Sequence, residues 1–413
     1  MSADHEMTSL LASEISRQHA TLSMIASENL ISDQILQALG SGIVNKTVEG
    51  FPGARFHAGC DVVDQIEALS IARAKRLFNA EYANVQAHSG TQANQAALSV
   101  LAKPGDRILS LALRDGGHLS HGAKFNSSGV HYVPYHYHVD PVSDMVDMGK
   151  VRELALEIRP QVLIVGASSY PRDFDYAAFA DIAKEIDAKL MVDIAHFSGL
   201  VASRVLNDPV QYADIVTMST YKGLRGPRGG LLLSRSAEIN QALNRGIFPF
   251  TQGTPAMNAI AAKAVCFHEA ALPAFGEYCR RAVTAGKLLA ELLQEQGVRL
   301  ITGGTDTSMV LIDLREAPVD GNTVTTRLEH IGILANRNLV PRDSRNASQT
   351  SGVRLSTAGL MSRGVPIEEI AGIAKIVVEC TRAPSEAFIA QAQAKVQQMC
   401  STWPLSERGG RLH

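Results

Sequence analysis

No apolar run in this chain of 413 residues approaches the roughly 18 residues that a membrane-spanning helix needs. Aromatic residues are scarce, at 5% with a single Trp, so the 46% hydrophobic content is mostly aliphatic. That content at this length can bury a large core, and two domains are expected. Cysteine is sparse and odd in number: Cys60, Cys266, Cys279, Cys380 and Cys400 are scattered and form no CxxC or Cys/His cluster. Free thiols in a reducing compartment are therefore expected, and no metal site. Neither sign of charge dominates, with 39 Lys+Arg against 41 Asp+Glu and a net charge of −2. With no basic run, nothing points to nucleic acid. Internal repeats, low-complexity tracts and clear linkers are also lacking. The opening Met1-Ser2-Ala3-Asp4-His5-Glu6 is polar and acidic, unlike a secretory signal. A soluble, cytoplasmic protein is the expectation.

What the chain does have is a lysine in an unusual setting. Lys222 lies in Ser219-Thr220-Tyr221-Lys222-Gly223-Leu224-Arg225-Gly226-Pro227-Arg228-Gly229-Gly230, after the β-rich Ala213–Met218 and before the short strand Leu231-Leu232-Leu233. A lysine at such a junction, fenced by glycines that allow close approach, suits a Schiff base to pyridoxal 5′-phosphate (PLP). Taken alone it is a solvated loop lysine. Upstream, Lys189–His196 reads as an apolar strand with Asp193 near its carboxyl end, where open α/β sheets bind ligands. A buried Asp there needs a partner, and the pyridinium nitrogen of PLP is one. Alone, Asp193 reads as a helix cap. The third element is Gln86–Asn94, in which Ser89-Gly90-Thr91 opens a helix and presents backbone N–H groups to a phosphate. By itself Ser-Gly-Thr is an ordinary N-cap. Phosphate cup, Asp and Lys in this order form a specific pattern, that of a PLP enzyme.

Strand-length apolar runs recur at Arg107–Leu111, Gln161–Val165, Leu190–Val192 and Asp214–Thr217. Between them lie helical stretches such as Tyr176–Ile186, whose apolar positions recur every three or four residues. Alternating β and α with buried strands implies a mostly parallel sheet. From about Met257 to Gln296 the pattern is helical, with a break expected at Pro273, and a mixed α+β region follows. The fold class read here is α/β, the aspartate-aminotransferase-like fold type I of PLP-dependent transferases. It has a mostly parallel large domain and a smaller α+β C-terminal domain. The boundaries are set at 1–45 for an N-terminal arm, 46–265 for the PLP-binding domain and 266–413 for the small domain.

Longer motifs carry a family resemblance along nearly the whole chain. They include Ile25-Ala26-Ser27-Glu28-Asn29, Asn45-Lys46 with Glu49-Gly50 and Pro52-Gly53, and Ala83-Asn84-Val85-Gln86 with His88-Ser89-Gly90. Others are Gly116-Gly117-His118-Leu119, Gly226-Pro227-Arg228-Gly229-Gly230, Gly303-Gly304-Thr305-Asp306 and Ser351-Gly352-Val353-Arg354. On these the sequence resembles the serine hydroxymethyltransferases. The resemblance implies that Lys222 holds PLP, Asp193 pairs with its ring nitrogen and His118 stacks on its face. His196 and Ser168 would lie near the phenolic oxygen, and Ser89, Gly90 and Thr91 at the phosphate. Arg354 would clamp the substrate carboxylate with help from Ser27, a task suited to a guanidinium fork. Glu49 is the candidate for handling the substrate hydroxyl proton, as a partly buried carboxylate whose pKa is expected to rise; a structural role before Pro52-Gly53 is the rival reading. The resemblance also implies that the N-terminal arm and C-terminal region form the small domain together.

The sequence departs from the family pattern at several of these places. Thr47 stands where relatives have the tyrosine of Asn-Lys-Tyr, Phe56-His57 replaces a tyrosine pair, and Tyr221 replaces the histidine before the lysine. The glycine-rich loop reads Phe250-Thr251-Gln252-Gly253-Thr254, and Asp115 replaces a histidine. In the family the tyrosine and the glycine loop reach a neighbouring subunit's cofactor site, so a homodimer with composite sites is expected. Gly253 and Thr254 would offer backbone N–H groups to the phosphate, and Thr47 and His57 would line the substrate pocket. Asn338 matches a folate-contacting position, as do Leu113 and Leu119, making tetrahydrofolate the expected co-substrate. Three readings stay open: folate-dependent serine/glycine interconversion; a folate-independent L-threonine transaldolase or α-substituted-serine hydroxymethyltransferase; and a PLP-binding protein with a regulatory role. The first leads, because the residues expected to do the aldol chemistry are present.

Overall fold

Short, mostly buried strands alternating with helices build one seven-stranded sheet. The computed structural model describes residues 4–411, which divide into two compact units. One spans Gln37–Arg280; the other takes the residues up to Leu36 and those from Arg281 onward.

In the Gln37–Arg280 unit the strands are β1 (Tyr82–Asn84), β2 (Arg107–Leu111), β3 (Val133–Tyr137), β4 (Val162–Gly166), β5 (Lys189–Asp193), β6 (Ile215–Ser219) and β7 (Gly230–Ser234). Their spatial order is β1-β7-β6-β5-β4-β2-β3. Pairing from β6 across to β3 is parallel, whereas β7 runs antiparallel to both neighbours. The sheet is thus mostly parallel, as the alternating pattern predicts, and β2 has the expected bounds. Every residue of β4, β6 and β7 is buried, which explains why these strands read as continuous apolar runs rather than alternating ones.

Helices α1 (Asp61–Phe78), α2 (Gly90–Leu101), α3 (Tyr176–Glu185) and α4 (Met257–Ala270) flank the sheet. Ala93, Ala96, Ala97 and Leu98 of α2 join Ile108, Ile164, Met191 and Leu232 of the sheet in one apolar cluster. Alanine on that face lets the helix axis approach the strands, while each fully buried Ile, Leu or Met side chain contributes about 1.5–3 kcal/mol. The expected break at Pro273 is present: α4 ends at Ala270 and Pro273 opens the next helix, Pro273–Glu295.

The other unit contains an antiparallel sheet of β8 (Met309–Asp313), β9 (Asn336–Asn338) and β10 (Gly352–Ser356), with β10 central. N-terminal residues belong to it through hydrogen bonding. Leu22–Ser23 pairs in parallel with Ile333–Leu334, and the Ser356 amide donates to the Met24 carbonyl at 2.8 Å. All five cysteines are free and buried. Among the described residues no helix is long and apolar enough to cross a membrane.

Candidate active site

Asp193 closes β5, level with Thr217 of β6 and Gly166 of β4, at the carboxyl end of the parallel strands. Lys222 follows β6 by three residues, so the lysine and the carboxylate emerge from adjacent strand ends. The loop carrying Lys222 is closed on itself. Thr220 N donates to Gly229 O at 3.0 Å, Gly226 N to Thr220 O at 2.8 Å, and Thr220 Oγ1 to Pro227 O at 2.6 Å. Arg225, at φ +62°, accepts the left-handed turn and stacks its guanidinium 4.3 Å from the Tyr278 ring centroid. In this frame Lys222 is buried, 6% exposed. Tyr221, in place of the family histidine, lies beneath the Arg228 guanidinium at 4.5 Å.

Asp193 is held by three donors or potential donors. Asn94 Nδ2 donates to its Oδ2 at 2.7 Å, His121 Nε2 lies 2.9 Å from the same oxygen, and Ala195 N donates to Oδ1 at 2.9 Å. Thr217 Oγ1 in turn donates to Asn94 Oδ1 at 2.5 Å, which orients the amide with its nitrogen toward the carboxylate. Burial pushes the Asp193 carboxyl up. The hydrogen bond and charge of His121, the charge of His118 and the Asn94 amide outweigh it, holding the group well below the usual carboxylate range. His118 and His121 stand with ring centroids 5.5 Å apart. Together with Asp193 they bring possible ligand atoms within 4.8 Å of one another, although Asp193 Oδ2 already serves Asn94 and His121, and His118 Nδ1 serves Ser120.

The N-terminus of α2 lies beside the same strand ends. Ser89 caps it, its Oγ accepting from Gln92 N at 3.1 Å, and the first helical residues, Gly90 and Thr91, are half-buried. A Cβ on Gly230 would collide with the Ser89 carbonyl, so that glycine is required by close approach, and one on Gly90 would crowd the Ser219 Cβ at 3.3 Å. Below the turn, Lys263 is fully buried and donates to Val85 O at 2.5 Å, Gly230 O at 2.8 Å and Ala87 O at 2.9 Å. Burial pushes its ammonium down to about 7.

Other expected residues of this unit occupy loops around these elements. Ser168 is half-buried, and its amide donates to Gly116 O at 2.7 Å, which sets it beside the Gly116-Gly117-His118 turn. His196 is half-buried, its carbonyl 3.6 Å from where a Gly223 Cβ would stand. Half-buried Glu49 points Oε1 to 3.4 Å from a Cβ built on Gly253, bringing the Glu49 hairpin against the Phe250–Thr254 loop. Thr254 is half-buried; Thr47, His57 and Gly253 are exposed. In the other unit Arg354 is buried on β10, its Nε donating to Asn336 Oδ1 at 3.1 Å, and burial pushes its guanidinium down to about 10. Ser27 is half-buried in a turn, and Asn338 is half-buried on β9 with Nδ2 donating to Leu339 O at 2.6 Å.

Sequence reasoning missed Asn94, His121 and Lys263. The pair His118-Leu119-Ser120-His121 was a usable signal for His121, because a second histidine three residues on can turn to the same side. Asn94 and Lys263 lie on apolar helices, where nothing local marks them.

A family model described as serine hydroxymethyltransferase matches residues 1–377. The chain is 48% identical over 409 residues to the serine hydroxymethyltransferase of Clavibacter sepedonicus, across 98% of this chain and 96% of that one. It is 46% identical over 403 residues to that of Myxococcus xanthus, and 44% over 401 residues to that of Coprothermobacter proteolyticus, each across 97% of this chain and 96% of the relative.

Proposed function

Because the chain belongs to the serine hydroxymethyltransferase family, we propose that it is a cytoplasmic, PLP-dependent enzyme interconverting serine and glycine with tetrahydrofolate. The observation that carries the cofactor reading is the buried Asp193 carboxylate held ionised at a strand end beside buried Lys222. The donor set suits PLP at three of its polar positions. The amino end of α2 offers N–H groups to the phosphate, Asp193 suits a protonated ring nitrogen, and Lys222 suits the aldehyde.

PLP supplies an electron sink at the substrate Cα when bound. The chain's own groups would do the rest. Asn94, His121 and the Ala195 amide keep Asp193 charged and aimed. His118 would cover the ring face, with Ser168 and His196 toward its phenolic oxygen, and Gly253 and Thr254 would add backbone donors for the phosphate. Arg354, assisted by Ser27, would hold the substrate carboxylate, thereby fixing which bond at Cα is weakened. Glu49 would take the hydroxyl proton as the Cα–Cβ bond of serine breaks, the one-carbon unit leaving at the formaldehyde level for tetrahydrofolate beside Asn338. Thr47 and His57 would border the substrate.

A homodimer is part of this reading. Phe56 and Phe250 are 74% and 70% exposed, and Phe56 sits 5.6 Å from the Phe248 ring, so an aromatic patch flanks the Glu49 hairpin. A second copy of the chain is its proposed cover.

Absorbance spectroscopy tests the cofactor assignment. The protein with PLP should show a visible band that Lys222→Ala abolishes. A wild-type protein with no band after PLP addition overturns it.

A further inference from the structure

Resting on the assignment of the substrate hydroxyl proton to Glu49, we propose that Arg55 is a positioning residue that sets the Glu49 carboxylate by gripping the backbone on both sides of it. Arg55 Nη1 donates to Val48 O at 2.9 Å and to Gly50 O at 2.7 Å, the carbonyls immediately before and after Glu49. Its other nitrogens are anchored on α1: Nε to Asp64 Oδ1 at 2.8 Å and Nη2 to Glu67 Oε2 at 2.5 Å. Asp64 and Glu67 are three residues apart on one helical face, so the guanidinium fork bridges a rigid element to the hairpin. The arginine side chain is 3% exposed and Glu67's is 1%. Burial opposes the charge on Arg55, and the pairing with Glu67 and Asp64 outweighs it.

Besides Arg55, the hairpin is held at its turn by Gly53 N donating to Asp64 Oδ2 at 2.7 Å. It consists of Gly50–Phe51 paired with Ala54–Arg55, closed by Phe56 N donating to Glu49 O at 3.1 Å. Gly50 sits at φ +94°, where a Cβ would collide with the Ala54 carbonyl. Two-stranded pairs this short are marginal in water, so their geometry is set by what grips them.

The same anchor continues to the α2 N-terminus. Gln86 Nε2 donates to Glu67 Oε1 at 2.8 Å and to Gly50 O at 3.0 Å. Gln252 Nε2 donates to Gln86 O at 3.2 Å, Gln92 Nε2 to Gln252 Oε1 at 2.7 Å, and His88 N to Gln92 Oε1 at 2.6 Å. These links tie the Glu49 hairpin to the amino end of α2 in the same chain, with Gln86 Oε1 left without a hydrogen-bond partner among the described residues. A lysine at position 55 could meet one carboxylate but could not span two carbonyls and two carboxylates, because it presents one point charge rather than a fork.

The test compares Arg55→Lys, Glu67→Gln and Glu49→Gln as PLP-loaded enzymes, each read for the visible cofactor band, serine cleavage and glycine α-proton exchange with solvent. Exchange needs no hydroxyl proton removed, so it reports the cofactor site without Glu49. A displacement of about 1 Å in a reacting group costs on the order of 10²-fold. Arg55→Lys is expected to lower kcat for serine cleavage on the order of 10- to 100-fold, with the band kept and exchange within about threefold of wild type. Glu49→Gln should show the same split. If Arg55→Lys fails to hold cofactor, Glu67→Gln, which keeps the side-chain shape, reads the same question. Loss of cleavage in Glu49→Gln with wild-type cleavage in the other variants overturns the role of Arg55 alone. Cleavage and exchange falling together in Arg55→Lys and Glu67→Gln make the arginine merely structural. Full cleavage in Glu49→Gln overturns the reading of Glu49 on which the inference stands.

Discussion

His121 Nε2 lies 2.9 Å from Asp193 Oδ2, both side chains are buried, and the other ring nitrogen of His121 has no hydrogen-bond partner among the described residues. The polar contact of the ring is thus directed at the carboxylate, which it helps to keep charged. Hydrogen bonds to charged groups contribute about 1.5–3 kcal/mol, so this contact is a large part of what holds Asp193 ionised.

His121→Leu should raise the Asp193 carboxyl. A depressed carboxyl stabilises what depends on its charge above the unfolded pKa, and that stabilisation is lost as pH falls through the folded value. In wild type that loss lies below the usual carboxylate range. In the variant burial acts with less opposition, so the acid limb of PLP binding should move up by at least about one pH unit. Titrating the cofactor band between pH 3 and 8 checks this; coincident acid limbs would count against it.

Much of this arrangement was legible in the chain because its signals are local. Lys222 with its glycines, Asp193 ending an apolar strand and Ser89 heading a helix each declare themselves within a dozen residues, and β2 and α3 follow from apolar spacing. The partners were not legible. Asn94 and His121 meet Asp193 across 99 and 72 residues, and Lys263 meets Val85 across 178. Asn94 and Lys263 reach their partners through the packing of α2 and α4 against the sheet, which no local pattern encodes, whereas His121 was marked only by its spacing from His118. The reversed direction of β7, and its pairing with β1 beyond it, are likewise tertiary facts.

Arg354→Ala should weaken amino-acid binding by about 2–5 kcal/mol while leaving PLP affinity within about twofold. Burial brings its guanidinium down to about 10, so it remains charged at neutral pH and able to hold a carboxylate. Dissociation constants for serine and for PLP decide the matter; equal losses in both would make Arg354 structural.

Thr47 is exposed on the segment before the Glu49 hairpin and reaches less far than the tyrosine it replaces. Thr47→Tyr should narrow the substrate pocket and shift preference toward serine over bulkier β-hydroxy amino acids by roughly 10-fold, the scale of one methylene-sized change in pocket fit. The ratio of kcat/KM values measures the shift, and an unchanged ratio contradicts the pocket assignment.

Sedimentation of the PLP-loaded protein should show a dimer, since exposed Phe56 and Phe250 flank the Glu49 hairpin. A charge introduced at the patch, Phe56→Glu, should weaken the dimer and lower activity together. A fully active monomer contradicts the composite site.

Product analysis with serine, in the presence and absence of tetrahydrofolate and across a panel of aldehydes, tests the central claim most directly. The account predicts glycine formed from serine at a rate that rises steeply with tetrahydrofolate, with the one-carbon unit recovered on the folate. Turnover of threonine with another aldehyde, indifferent to tetrahydrofolate and without serine cleavage, would contradict it.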